Sequence, residues 1–475
     1  MNNDNPNHNV KQELYLFLTV AFPIAITNLC RTAMGLTDVS ILGNYHHPSI
    51  NTTTFSHNIT NINITTTNQT STTYLAAAGF SVTWFALCNV IFVQGFAAAV
   101  TVLGATAFGA RNHRLLGYYF LIGLVLSSMG GLCVGGVTYW AGSIMQYLIG
   151  FDQHMKELVT SFTRVTLIGF VPLVWTSCMN SFLLAQKETL PQLVTYVCCV
   201  GLNIGLNFFF IYGLDVPKWN ISFVGFGFIG SAVATAVSRW LQFTVMLCLV
   251  RRNINKRSMQ EEDDKHRNRT NSSQWDVGFI PLPSAFDLNN EKEKYDWNLT
   301  NALFQQGRLK TYLQQACPLA LTGVLEDGQL QFIAILAGRL GTVAMATHNG
   351  IFQIFWFLSS LMWSIKSATG IRIASYLGSG DAVGAQFAMK IATWIALPAA
   401  GTVSIGLVLL RSEIGHVFTN DTRVLDLVSD IISLVGAGYF VLGIFYICMA
   451  TLSAQGRPHL IAISFVIGKA NFIIS

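Results

Sequence analysis

Five ionisable residues stand inside long apolar stretches of this sequence: Arg31, Asp38, Glu326, Asp327 and Lys366. A charge at bilayer depth is costly, so residues of this kind mark paths for ions, protons or charged cargo. Glu326 comes eight residues after Pro318, where one apolar stretch opens. A carboxyl there can exchange a proton or pair with a cation; an interhelical hydrogen bond is the structural alternative. Asp327 would point about 100° away around the same helix, toward a different neighbour. Asp38 falls late in the first apolar stretch, five residues before Gly43, near an end that water can reach. Lys366 lies six residues before Arg372, and its long stem can carry the ammonium to the interface. Asn203 and Asn207 share one helical face at i, i+4, fit either for a polar site or for helix–helix hydrogen bonds. Gln331 and Gln353 offer neutral hydrogen bonds to cargo. No cluster of His and Cys suggests a metal site.

These residues need elements that hold them at depth. The chain has 475 residues, 52% hydrophobic and 11% charged, against about 25% charged in soluble proteins. Apolar spans fall near 14–42, 75–104, 115–144, 158–185, 190–213 and 223–250, and again near 309–337, 343–374, 385–410, 425–452 and 459–475. Each is close to the roughly 20 residues that cross a bilayer as helix. Backbone groups in lipid must be satisfied internally, so an all-α polytopic membrane protein with about 11 transmembrane helices is expected. The nine cysteines all lie in apolar spans, which reads as packing rather than a disulfide framework. The polar, Asn-rich Met1–Gln12 is neither a basic leader nor a transit peptide, so the first span reads as a retained anchor.

The loops set orientation. Residues 44–74 hold no Lys or Arg but four Asn-x-Ser/Thr sequons, at Asn51, Asn58, Asn63 and Asn68. Both signals place this loop outside as a glycosylated segment, and the basic Ala110–Arg114 turn inside. The N-terminus is then cytoplasmic. The mixed-charge stretch 251–308 reads as a cytoplasmic linker between an N-terminal lobe, 1–250, and a C-terminal lobe, 309–475. Its sequons at Asn268, Asn271 and Asn298 are incidental in that topology. The basic residues form no face suited to nucleic acid.

The two halves resemble each other in order and spacing. Pro23-Ile24-Ala25-Ile26-Thr27 matches Pro318-Leu319-Ala320-Leu321-Thr322 at an offset of 295. Further along, Phe108-Gly109-Ala110-Arg111-Asn112 matches Leu377-Gly378-Ser379-Gly380-Asp381, and Leu183-Leu184-Ala185-Gln186 matches Leu452-Ser453-Ala454-Gln455. Six spans between like ends make the repeat parallel, as in alternating-access carriers built of two pseudo-symmetric six-helix lobes. The second copy ends at its fifth span. Arg31 and Glu326 share the 295-residue offset, which suggests a switchable ion pair across one cavity.

On these motifs the sequence resembles the MATE family, the multidrug and toxin extrusion transporters. The resemblance rests on Gly35-Leu36-Thr37-Asp38 with Leu42-Gly43, Ala107-Phe108-Gly109-Ala110, Ala185-Gln186 before Pro191, Leu377–Asp381, and Pro318-Leu319-Ala320 with Glu326. It spans about Pro23 to Gln455. It implies export of organic cations or other xenobiotics against H⁺ or Na⁺. Glu326, Asp38 and Asp327 would couple to the ion, and Asn203, Asn207, Gln331, Gln353 and Arg31 would line the cargo cavity. Asp38 matches an acid of bacterial members, while Gln331 and Gln353 stand where eukaryotic members often carry acids. The chain is thus expected to be a monomeric secondary antiporter, not an enzyme, in contact with membrane lipid. It needs no cofactor beyond H⁺ or Na⁺, and no nucleotide P-loop is present. The membrane would be the plasma membrane or that of an organelle. The alternatives are a lipid or glycan flippase of the same fold group and a non-transporting truncated isoform.

Overall fold

The computed structural model describes residues 10–43, 77–78, 80–81, 84–85, 87–149, 153–216, 221–266, 307–340, 342–417 and 422–474. Helices dominate, because apolar runs without water must satisfy their own backbone groups. They are α1 (Val10–Gly43), α2 (Ala98–Gly109), α3 (His113–Tyr139), α4 (Ala141–Ile149), α5 (Gln153–Leu167), α6 (Phe170–Ala185), α7 (Leu190–Tyr212) and α8 (Phe228–His266). After the polar stretch come α9 (Arg308–Leu340), α10 (Thr342–Gly378), α11 (Ala382–Leu409), α12 (Thr422–Ala454) and α13 (Pro458–Ile474). A π-helical segment, Ile91–Ala97, leads directly into α2.

Among the described residues seven helices are long and apolar enough to cross a membrane, and α5 with α6 makes an eighth span bent by 48°. The sequence reads 158–185 as one straight span. The bend falls at Ile168-Gly169, where a Cβ on Gly169 would come within 3.0 Å of Ala236 Cα on α8. The other expected spans coincide with α9, α10 and the shorter apolar α13. α9 and α10 carry the buried charges discussed below.

A further difference concerns a boundary. α8 continues as helix to His266, past the expected lobe boundary at Val250. Arg251 to His266 contains no Gly or Pro, so nothing in it breaks the helix. Between α7 and α8 the chain forms an antiparallel two-stranded ribbon, β1 (Gly213–Val216) and β2 (Ile221–Val224). Gly213 turns out of α7 at φ 86°, a conformation open to glycine.

The matched motifs adopt the same local geometry. The Asn112 side chain accepts from the Leu115 N–H at 3.1 Å, capping α3, and Asp381 accepts from the Gly384 N–H at 2.7 Å, capping α11. The preceding residues, Arg111 and Gly380, both have positive φ, as do Lys187 and Gly456 in the second motif pair. Thr27 and Thr322 each donate to the carbonyl of their proline, Pro23 and Pro318, at 2.8 and 2.9 Å.

The principal core lies where α1, α2 and α9 meet α10 and α12. α10 packs against α1 and α2 from the first half and α11 and α12 from the second. With α9, which packs on the π segment, it joins the two halves.

Candidate functional site in the core of the bundle

Two clusters of polar residues lie along α10. The first surrounds Glu326 on α9. Trp363 Nε1 donates to Tyr446 Oη at 2.6 Å, and Tyr446 Oη donates to Glu326 Oε1 at 2.9 Å. Lys366 Nζ stands 4.9 Å from the centre of the Tyr446 ring, and Arg31 Cζ 5.9 Å from that of Trp363. Asp327, beside Glu326, has a buried Oδ1 with no hydrogen-bond partner. Such an atom forfeits its hydration without compensation. Only a group that donates a hydrogen bond can satisfy it.

Arg31 and Glu326 thus share one neighbourhood, but no ion pair joins them. Arg31 lies against Trp363, and Trp363 and Tyr446 lead by hydrogen bonds to Glu326, so two rings link the residues in place of the switchable ion pair expected from the repeat. One turn before Arg31, Asn28 Nδ2 donates to Ser364 Oγ at 3.1 Å and ties α1 to α10.

The Glu326 cluster continues an aromatic ladder on α10. His348 stacks on Phe352 (5.9 Å, 23°), Phe352 on Trp356 (5.6 Å, 22°), and Trp356 meets Trp363 edge-on at 4.7 Å. The spacings of four, four and seven residues keep these rings on one helical face.

The other predicted residues divide. Asn203 and Asn207 are buried on α7. Asn203 Nδ2 donates to Ser238 Oγ on α8 at 3.3 Å, Thr37 Oγ1 on α1 donates to Asn203 Oδ1 at 3.5 Å, and Asn207 Nδ2 donates to the Asn203 carbonyl at 3.0 Å. Asn203 thus ties α7 to α1 and α8, while the Asn207 bond stays within α7. The side chains of Asp38, Gln331 and Gln353 lie outside the described residues, as do Asn51, Asn58, Asn63 and Asn68.

The second cluster lies at the end of the bundle that holds the start of α1. Arg372 is 2% exposed and Glu13 4%. Arg372 Nε donates to Glu13 Oε1 at 2.9 Å, and Arg372 Nη2 donates to Glu13 Oε2, completing a fork. Tyr376 Oη receives from Arg372 Nη2 at 3.0 Å and donates to Glu13 Oε2 at 2.7 Å. Beside this triad α2 and α10 touch backbone to backbone. A Cβ on Gly109 would meet the Ser375 carbonyl oxygen at 1.9 Å, and one on Gly378 would meet that of Thr106 at 2.0 Å. These contacts are reciprocal: Gly109 and Gly378 occupy matched places in the repeat, and so do Thr106 and Ser375. The α6–α7 turn brings Lys187 to the same end. Burial and the nearby Arg372 guanidinium push its ammonium down to about 8, partly offset by Glu13. Sequence reasoning missed Glu13. It stands in the first turn of α1, where an acid is unremarkable, and its partner is 359 residues away.

A bundle of helices long and apolar enough to cross a membrane, with ionisable groups among them, defines a polytopic membrane protein. The family model named MatE matches residues 48–209 and 318–471, and the chain belongs to this family of transporters. The fold is similar to that of the eukaryotic MATE transporter AtDTX14, at 18% identity over 94% of this chain and 84% of that one, with a TM-score of 0.71. A MATE protein in the straight conformation matches at 16% identity, covering 96% and 85%, with a TM-score of 0.71. A MOP superfamily transporter from Pyrococcus furiosus, described as having a binding pocket of reverse polarity, matches at 17% identity, 96% and 85% coverage and a TM-score of 0.71.

Proposed function

We propose that this chain is a secondary active antiporter that exports small organic cations in exchange for H⁺ or Na⁺. The observation that carries this reading is the carboxyl pair Glu326–Asp327 inside the bundle. One member is held by a tyrosine hydroxyl, and the other has an oxygen with no partner. A proton or coupling ion on these carboxyls competes with a cationic cargo for the same negative charge, which is the requirement for exchange. The aromatic ladder from His348 to Trp363 supplies ring faces for flat cations. In this reading Glu13, Arg372 and the Gly109–Gly378 contact form the cytoplasmic gate, the N-terminus is cytoplasmic, and the sequons of 44–74 are outside. Two lobes alternate access as a monomer, and the coupling ion is the only cofactor.

The test is uptake of a fluorescent organic cation into vesicles with an imposed pH gradient, with Na⁺ varied. Wild type is expected to show gradient-driven flux and Glu326→Gln a loss of at least tenfold. Absence of gradient-dependent flux in wild type refutes the reading. A second reading, a flippase for anionic lipid or glycan headgroups, is favoured by Arg31 and Lys366 beside the same rings. Flux of a fluorescent anionic lipid unaffected by Glu326→Gln distinguishes it.

A further inference from the structure

The hydrogen bonds at Glu326 have a fixed direction. An indole N–H only donates, so Trp363 Nε1 must give its proton to Tyr446 Oη. That occupies an oxygen lone pair of Tyr446 and leaves the phenol proton to go elsewhere. The remaining short contact is to Glu326 Oε1 at 2.9 Å. Tyr446 therefore donates to Glu326 whenever the carboxyl is charged, because a carboxylate has no proton to give back. A donor aimed at a carboxylate favours its charged form.

We infer that Trp363 and Tyr446 are positioning residues that act as a one-way relay, holding Glu326 Oε1 as an acceptor and leaving Oε2 as the atom that gains and loses the exchanged proton. This rests on the reading of Glu326 as the exchanging group. The relay joins three elements: Glu326 sits on α9, Trp363 on α10 and Tyr446 on α12. Movement of α12 relative to α9 breaks the Tyr446 bond and withdraws the donor. Protonation is thereby linked to helix position without any change in the acid itself.

The other charged groups around Glu326 are few. Asp327 shares α9, and its negative charge opposes a second one on Glu326. Lys366 on α10 lies over the Tyr446 ring, and Arg31 on α1 lies over Trp363. The π segment and α2, which pack on α9, contain no charged residue from Ile91 to Gly109. His459 begins α13, and His113 and Arg114 begin α3.

The purified full chain in lipid nanodiscs is titrated by infrared difference spectroscopy, following the carboxylic-acid C=O band that disappears in Glu326→Gln. Tyr446→Phe keeps the ring and removes only the donor. Its midpoint is expected to rise by about 1–2 pH units, the scale of one hydrogen bond to a charged group. Trp363→Phe frees the phenol to turn, and its midpoint is expected to rise by a smaller amount. A wild-type midpoint retained in both variants overturns the relay. A rise in Tyr446→Phe with none in Trp363→Phe overturns its one-way direction. If no band is lost in Glu326→Gln, the exchanging role of Glu326 itself fails, a different outcome from either. Should Tyr446→Phe fail to fold, Trp363→Phe alone decides, since a purely structural indole would leave the midpoint in place.

Discussion

Replacing Arg372 alone would leave Glu13 a buried carboxylate without its guanidinium partner. Breaking one side of a buried pair costs roughly 3–5 kcal/mol. Arg372→Leu should lower the melting temperature sharply, and Glu13→Leu in the same chain should restore a large part of the loss. Equal instability of single and double variants would show that the pair is not coupled. At this scale the sequence discloses charges better than their partners. Glu326 is conspicuous because an acid in an apolar run is costly. Tyr446 is not, because a tyrosine in such a run resembles packing, and 120 residues separate it from the acid it serves. Arg31 shows the limit of a repeat offset. The offset identifies an equivalent position in the second half, but two aromatic rings decide what the guanidinium meets.

Helices show more of themselves in sequence than side-chain partnerships do. Apolar length and loop punctuation make nearly every span legible, since both report directly on the bilayer. The paired Gly-containing turns at Gly109 and Gly378 are also legible, as a repeat. Their contact with each other is not, because it depends on how α2 crosses α10. The bend between α5 and α6 is hidden for the same reason: it answers to a neighbour, Ala236 on α8. The crossing makes a sharp prediction about small residues. A methyl on Gly378 would stand 2.0 Å from the Thr106 oxygen, a backbone atom that moves only if the helix moves. Gly378→Ala should therefore cost about 1–3 kcal/mol and reduce transport. Gly136 on α3 has nothing within 4 Å of its would-be Cβ. Gly136→Ala should leave the melting temperature unchanged or raise it slightly, and equal losses for the two variants would count against a special role for the crossing.

For the whole molecule, the Glu13–Arg372 end joins residues from α1, α2, α10 and the α6–α7 turn, far apart in the chain. Nothing local announces it, because the glycines, the acid and the arginine each have ordinary neighbours. Its electrostatics give it a pH dependence that a single helix would lack. Lys187 is pushed down to about 8 from a free value of 10.5 by burial first and Arg372 second. A base whose folded value is lowered destabilises the fold wherever it is protonated in both states, here below about 8. The penalty fades as pH rises from about 8 to 10.5, because the folded chain sheds the proton first. The melting temperature of the purified chain should carry a rising contribution across that window, isolated by subtracting the profile of Lys187→Met. That variant keeps the long stem and removes the charge facing Arg372, so it should be the more stable of the two below pH 8, with the difference closing above it. Parallel profiles through the whole window would show that Lys187 does not feel the Arg372 cluster in solution.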